Sequence, residues 1–259
     1  MNRLNQLFQH KKHNLLSVYF SAGHPNLHDT TEILLSLDKA GADIVEIGIP
    51  FSDPVADGPV IQRSSHQALQ NGMSLSLLFE QLKDIRKKTQ IPIVLMGYLN
   101  PVLQFGIEAF CKKCQETGID GVILPDLPPA LYQQRYQPYF EETDLANILL
   151  VPPQTDDARI LELDKLSKGF LYIVAASSTT GTKKGFEPYQ IEYFNRLKKL
   201  NLKTPTLIGF GISDHQSFQE ACRYGNGAII GSAFIQALEK EGSLKGKIES
   251  FIGTIKSDL

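Results

Sequence analysis

The amino-acid sequence predicts one α/β domain, spanning residues 1–259, that folds as a closed (β/α)8 TIM barrel with an extra N-terminal helix and an extra helix after strand 2. Short apolar, β-branched runs alternate about eight times with amphipathic helix patterns. No linker or low-complexity segment interrupts this alternation, and polar non-helical residues follow the apolar runs directly. An open doubly wound sheet is the competing architecture, but the number and even spacing of the units favour closure.

Each apolar run is interpreted as a strand because it is short and is bounded by turn-forming residues. Since such strands are packed on both faces, they are apolar throughout rather than alternating. The eight predicted strands are 17–20, 44–49, 93–96, 121–124, 147–151, 170–174, 206–208 and 227–230.

Helices are predicted where apolar residues recur every three or four positions, as Ile33, Leu34 and Leu37 do after the first strand. The helix after the fifth strand can be capped by Asp156 or Asp157. Others end near Phe140 or follow Ala233. The remaining predicted helices are 1–13, 29–39, 60–70, 75–88, 107–116, 214–223 and 242–259.

Composition narrows the class of protein. A formal net charge of −2 argues against a nucleic acid or an anionic membrane surface as the main partner. No apolar run approaches the roughly 20 residues needed to cross a bilayer, and the N-terminus lacks the apolar region of a secretory signal. The 3 cysteines are too few for a disulfide framework, which favours a reducing cytoplasm. The pair Cys111 and Cys114 is interpreted as two reduced helix cysteines.

The stretch 45–59, V-E-I-G-I-P-F-S-D-P-V-A-D-G-P, carries the most informative acids. Glu46 lies inside an apolar strand, where a carboxylate is either the partner of a buried base or an active-site group. No Lys or Arg occurs in any predicted strand, so we favour general acid/base chemistry for Glu46. Asp57 is either a second functional carboxylate or a turn and cap residue beside Gly58, and the residues alone leave both readings open.

The loops after the seventh and eighth strands contain Gly209, Gly211, Gly231 and Ser232. Glycines there let backbone N–H groups approach an anion at a helix N-terminus, and barrels of this type bind phosphate at those two loops. The alternative is that these glycines serve only tight turns. Two such loops at the expected positions favour a phosphate site.

Other chemistries find less support in the sequence. A Schiff-base mechanism would need a lysine in a strand, and none is present. Of the scattered histidines only His24 follows a strand directly, so no metal is expected, and no dinucleotide fingerprint occurs. The residues therefore indicate a barrel enzyme without a metal or cofactor that uses carboxylates on a phosphorylated substrate.

The stretch 45–59 closely resembles the signature of the α-subunit of tryptophan synthase, and the resemblance extends over nearly the whole chain. A fifteen-residue match with both acids in place is far more specific than paired glycines. The supporting segments are 19–23, 96–101, 125–128, 209–213 and 231–233.

The resemblance implies retro-aldol cleavage of indole-3-glycerol phosphate to indole and glyceraldehyde 3-phosphate. It implies that Glu46 is the general acid/base, that Asp57 binds the indole N–H, and that Tyr172 lies near the catalytic acid. Further positions match the substrate-binding residues of the family. The indole pocket is expected to contain Tyr19, Leu99, Ile123, Leu150 and Thr180, and the phosphate site Gly181, Gly211, Gly231 and Ser232.

The resemblance also implies a partner, a β-subunit that carries pyridoxal phosphate and receives indole through a channel, usually in an α2β2 assembly. Pro50, Asp53 and Pro54 lie in the loop expected to face this partner. The chain departs from the family at Ser178-Thr179-Thr180-Gly181, where a Gly-Val-Thr-Gly loop is common. Because of this departure, a second hypothesis stays open, in which the chain is a subunit that activates its partner without useful lyase activity. A different phosphate-binding barrel, such as an epimerase or a prenyl-glycerol phosphate synthase, is the third hypothesis.

Overall fold

The computed structural model describes residues 2–175 and 185–257. Its parallel strands pair in chain order from β1 to β8, and β8 pairs with β1, so the sheet is a closed barrel as predicted. The strands are β1 (Leu15–Ser21), β2 (Ile44–Gly48), β3 (Ile93–Met96), β4 (Gly121–Ile123), β5 (Ala146–Val151), β6 (Leu171–Val174), β7 (Thr206–Gly209) and β8 (Gly227–Ile230).

Helices surround the barrel, and both predicted additions are present: a helix before β1 and a second helix after β2. Asp156 caps the helix after β5, since its carboxylate accepts a hydrogen bond from the N–H of Arg159 at 2.8 Å. The helices are α1 (Arg3–His10), α2 (Thr30–Ala40), α3 (Pro59–Gln70), α4 (Leu75–Leu82), α5 (Leu99–Phe105), α6 (Ile107–Thr117), α7 (Pro129–Leu131), α8 (Gln137–Glu142), α9 (Asp157–Leu166), α10 (Pro188–Lys199), α11 (His215–Cys222), α12 (Ser232–Leu238) and α13 (Leu244–Lys256).

The structure differs from the sequence prediction in four helical segments. The helix expected to end near Phe140 consists of α7 and α8 separated by a π-helical segment, Tyr132–Tyr136. The helix expected over 75–88 ends at Leu82 and is followed by a separate 3-10 turn, Ile85–Lys87. The short α5 was not predicted, but its Pro101 lies in the first turn, where a missing N–H costs no helical bond. Helix α10 was not predicted either; it begins with a capping box between Glu187 and Gln190.

Two apolar layers hold the barrel together. One face of each strand packs against the helices, as Leu16, Val18 and Phe20 of β1 do. The other face fills the barrel interior, where α1 inserts the fully buried Leu4 from the amino-terminal end. Burying a leucine side chain of this kind stabilises the fold by about 1.5–3 kcal/mol. Helix α1 therefore closes the end of the barrel opposite to the functional loops.

Asp120 organises a polar network at that closed end. Its carboxylate accepts hydrogen bonds from Arg86 at 2.7 Å, from Arg3 at 3.1 Å and from the backbone N–H of Ile93 at 2.9 Å. The side chain is only 2% exposed. The network joins α1 to the starts of β3 and β4. Across the parts of the chain described above, no helix is both long and apolar enough to cross a membrane.

Replacing Asp120 by alanine should destabilise the protein strongly, because Arg86 would be left partly buried without its counter-charge. We expect a loss of about 3–5 kcal/mol in the free energy of unfolding, measured by urea denaturation. The matched control is Asp84→Ala, which removes an ion pair with Lys87 whose side chains are 59% and 77% exposed. No measurable change is expected there. Equal losses of unfolding free energy in the two variants would contradict a stabilising role for the buried Asp120 network.

Candidate active site

A cavity of about 560 Å³ opens at the carboxyl ends of the strands. Its volume lies in the range of small-molecule sites. Strands β1, β2, β6 and β8 and the loops after β2, β7 and β8 contribute to its wall. The residues predicted from the sequence that line it are Tyr19, Glu46, Asp57, Tyr172, Gly211, Gly231 and Ser232.

Glu46 lies in the middle of β2, and its side chain is completely buried. One carboxylate oxygen, Oε1, accepts a hydrogen bond of 2.6 Å from the Ser17 hydroxyl. The other, Oε2, has no hydrogen-bond partner in the described part of the chain. Loss of water around the carboxylate raises the pKa of Glu46 to about 7, with the Ser17 hydrogen bond opposing the rise. Glu46 is therefore able to give and to take a proton near neutral pH.

Asp57 precedes α3 and lies at the rim of the cavity. Its Oδ2 accepts a hydrogen bond of 2.9 Å from the hydroxyl of Tyr98, which in turn accepts one of 3.0 Å from the N–H of Ala56. Partial burial raises the pKa of Asp57 to about 6, and the Tyr98 hydrogen bond lowers it. Asp57 is thus largely ionised at pH 7, and its carboxylate can accept a hydrogen bond from a ligand N–H.

Two tyrosine rings shape the cavity, and each depends on a glycine in the next strand. A Cβ added at Gly48 would lie 2.1 Å from the hydroxyl of Tyr19, and one added at Gly209 would lie 2.3 Å from the hydroxyl of Tyr172. Burial raises the pKa of both phenols well above its usual value. The phenol groups of Tyr19 and Tyr172 are therefore neutral. Because Gly48 and Gly209 have no Cβ, the two tyrosine side chains have the space that they occupy.

The loop after β7 has an unusual backbone. Phe210 has a φ of 71° and Gly211 a φ of 82°. Positive φ is costly for phenylalanine and is typical of functional loops. The Phe210 ring packs edge-on against Tyr172 with 6.1 Å between the ring centroids. Both residues line the cavity, as does Ser232 at the start of α12.

Other predicted site residues lie elsewhere. Leu99 begins α5 and donates its N–H to Asp126 at 2.8 Å, Ile123 is buried in the barrel interior, and Leu150 is opposite Tyr172 in the β5–β6 pairing. None of these three is among the described residues that line the cavity. Thr180 and Gly181 lie outside the described residues, as does the whole segment Ser178-Thr179-Thr180-Gly181.

The predicted partner loop is only partly at the surface. Asp53 is exposed and Pro54 half-buried, whereas Pro50 is buried beneath the loop. Next to Pro54, Val55 is 86% exposed, the most exposed large apolar side chain among the described residues. The loop therefore presents exposed apolar surface at Val55 next to Pro54, whereas Pro50 is not available for a contact.

Sequence reasoning missed Ser17, Tyr98 and Phe210. Ser17 is the single polar residue in the first predicted strand, and Tyr98 follows the third strand directly. For Ser17 and Tyr98, these positions are the signals in the sequence that could have indicated a functional role. The sequence does not show that Ser17 reaches Glu46, 29 residues away, or that Tyr98 reaches Asp57, 41 residues away.

Comparison with known proteins shows similarity over nearly the full length. The family model described as tryptophan synthase alpha chain matches residues 4–255. The tryptophan synthase alpha chain of Flavobacterium psychrophilum is 54% identical over 255 residues, covering 98% of this chain and 100% of that protein. The same chain from Bacteroides fragilis is 51% identical over 241 residues, covering 93% and 92%.

Solved structures give the same result at lower identity. A Mycobacterium tuberculosis tryptophan synthase structure is similar with a TM-score of 0.88 and 29% identity, covering 98% of this chain and 96% of that chain. Tryptophan synthase subunit alpha from Legionella pneumophila is similar with a TM-score of 0.87 and 30% identity, covering 98% and 97%.

Gly209→Ala should impair the site because its new methyl group would occupy the position of the Tyr172 ring. The ring must therefore move. We expect at least a tenfold loss of enzymatic rate at substrate saturation, because a displacement of about 1 Å in an active site can lower the rate by this factor or more. Gly253→Ala is the matched control, because a Cβ there meets nothing within 4 Å and lies inside α13. That variant should keep full activity and gain up to ~1 kcal/mol of stability. Wild-type activity in Gly209→Ala would contradict the packing argument.

Glu46→Gln should stabilise the protein at alkaline pH. The folded-state pKa of about 7 exceeds the ordinary pKa of 4.5 for glutamate, so the folded state binds more protons between these values and stability falls as pH rises through them. A neutral glutamine avoids that loss. The variant should exceed the wild type by about 2–3 kcal/mol at pH 8 and match it near pH 4. Urea denaturation at both pH values measures this, and a pH-independent difference would contradict it.

Proposed function

The chain belongs to the tryptophan synthase alpha chain family, and on this basis we propose that it cleaves indole-3-glycerol phosphate to indole and glyceraldehyde 3-phosphate. The observation that carries the proposal is the fully buried Glu46, which lines a cavity together with Asp57 and whose Oε2 has no hydrogen-bond partner among the described residues. A retro-aldol cleavage needs such a group, because one proton must reach the indole ring and another must leave the glycerol chain.

Glu46 performs both proton transfers in this proposal. In its protonated form it donates to C3 of the indole, which converts the ring to the protonated indolenine with its N–H retained. The resulting carboxylate then takes the proton from the hydroxyl next to the scissile bond, the carbon–carbon bond breaks, and the aldehyde and indole form. A pKa of about 7 supports the proposal, because both protonation states are populated near neutral pH.

Asp57 stabilises the intermediate state. Protonation at C3 places positive charge on the indolenine nitrogen, and a carboxylate that binds the N–H lowers the energy of that charge. Tyr98 holds Asp57 through its 2.9 Å hydrogen bond and so fixes the direction of the free oxygen. Tyr19 and Tyr172 supply aromatic wall for the flat ring.

The phosphate group is expected at the opposite side of the cavity. We place it at Gly211, Gly231 and Ser232, which line the cavity, because the backbone N–H groups at the start of α12 suit an anion. Gly181 is proposed as a further phosphate ligand from the resemblance alone. The sugar-phosphate end and the indole end would then lie on either side of Glu46.

The partner in this proposal is a β-subunit with pyridoxal phosphate, in an α2β2 assembly that receives indole directly. The exposed tip formed by Pro54 and Val55 supports a protein contact at this loop, since an isolated apolar tip gains by burial. This chain itself is proposed to need no cofactor. The free thiols of Cys111, Cys114 and Cys222 fit a cytoplasmic location.

The purified chain should release indole from indole-3-glycerol phosphate, and faster when the β-subunit is added. Glu46→Gln should lower the rate by about 10²–10⁴-fold or more while substrate binding, measured by calorimetry, is retained. The matched control is Glu80→Gln, a carboxylate 70% exposed on α4, which should behave as wild type.

Two outcomes would change the conclusion. Unchanged turnover in Glu46→Gln would remove this residue from the mechanism. A stimulated β-subunit reaction with no indole release by the wild-type chain would instead support the activating-subunit alternative.

A further inference from the structure

We propose that Ser17 is a positioning residue for Glu46, whose hydroxyl occupies one carboxylate oxygen so that the other is left for proton transfer. The inference rests on the proposed function, in which Glu46 exchanges protons with the substrate. It adds a residue that does not itself line the cavity and acts through the catalytic carboxylate.

The barrel geometry places the two side chains together. In the β1–β2 pairing, Tyr19 is opposite Glu46 and Ser17 is opposite Ile44, so Ser17 reaches Glu46 diagonally across the barrel interior. The hydroxyl oxygen of Ser17 and Oε1 of Glu46 are 2.6 Å apart, which is the short distance expected for a hydroxyl bonded to a carboxylate. Both side chains are 0% exposed, so water does not compete for this hydrogen bond.

The two oxygens of Glu46 are thereby made different. An ionised carboxylate only accepts hydrogen bonds, so the Ser17 hydroxyl must be the donor to Oε1. In the described part of the chain Oε2 has no hydrogen-bond partner, although its residue lines the cavity. A proton from the substrate is therefore expected to be transferred to Oε2. The hydrogen bond from Ser17 to Oε1 fixes the orientation of the carboxyl group.

Ser17 has no evident packing reason to be polar. Its neighbours in the two pairings, Ile44 and Ile229, belong to the apolar interior layer. An alanine would fit the same space without a polar group to satisfy. The hydroxyl therefore serves the carboxylate, and its contribution should appear in the proton affinity of Glu46.

The direction of the effect follows from the donor role. A hydrogen bond to the charged form favours ionisation, and removing it leaves desolvation unopposed. In Ser17→Ala the basic limb of the kcat profile should move up by about one pH unit, because the reaction begins from protonated Glu46 and a hydrogen bond to a charged group has roughly this strength. At about pH 8 kcat should rise several-fold, and it should match the wild type by about pH 5, whereas KM should stay near the wild-type value because Ser17 does not line the cavity.

The test compares Ser17→Ala and Ser17→Thr with the wild type by two readouts. One is the pH profile of indole release. The other is the titration of the Glu46 side-chain carboxyl by carbon-13 NMR in the ligand-free protein, with Glu46→Gln used to assign its signal. Ser17→Thr keeps the donor and should restore the wild-type profile. The control is Ser167→Ala, which removes a buried hydroxyl that donates to the Phe170 carbonyl at 2.8 Å and should leave the Glu46 titration unchanged.

An upward shift in both readouts for Ser17→Ala, absent from Ser17→Thr and from the control, supports the proposal. A Glu46 titration in Ser17→Ala that coincides with the wild type overturns it, even if the variant is less stable. If wild-type chain releases no indole but the NMR shift is present, the proposed function fails while the Ser17 to Glu46 coupling stands, so the two failures are distinguishable.

Discussion

The burial of one carboxylate inside a strand is the constraint on which the active end of this barrel depends. A charged Glu46 at 0% exposure is stable only if the charge is solvated by the protein or removed by protonation. The fold uses both routes: the Ser17 hydroxyl supports the anion, and desolvation raises the pKa to about 7. The burial that makes Glu46 costly for the stability of the fold also makes it useful for proton transfer, because burial raises the pKa of its carboxyl group.

Two glycines, which have no Cβ, provide the space for two tyrosine rings of the cavity wall. Gly48 and Gly209 would each clash with a tyrosine hydroxyl if they carried a methyl group, at 2.1 Å and 2.3 Å. Glycine weakens a strand through lost packing and greater chain entropy, so its presence within β2 and β7 has a cost. That cost is offset by the position of two large rings, Tyr19 and Tyr172, in the cavity wall. Shape at this site is therefore decided by pairs of residues in neighbouring strands.

The two ends of the barrel divide stability and chemistry between them. At the amino-terminal end, Leu4 of α1 closes the interior and Asp120 pairs with Arg86 and Arg3, so the polar groups of that network are satisfied. At the carboxyl end, Glu46 keeps an oxygen without a partner and Phe210 keeps a positive φ. The Glu46 oxygen and the Phe210 backbone both lie at the end where a substrate can compensate for their cost.

The sequence by itself determined the barrel, because hydrophobic periodicity is local and each strand and most helices carry it within a few residues. It also identified Glu46, whose charge conflicts with its own apolar strand, and the glycine loops after β7 and β8. It did not predict α10, which begins at Pro188 directly after loop-like sequence, or the 3-10 turn that ends the α4 region. What only the tertiary structure decided is which side chains meet. Ser17 contacts Glu46, Tyr98 contacts Asp57, and Gly209 admits Tyr172 because barrel closure and strand register bring distant residues within a few ångströms. Leu99, Ile123 and Leu150 follow the same strand pattern, yet they are not among the described residues that line the cavity, a distinction that no local sequence pattern contains.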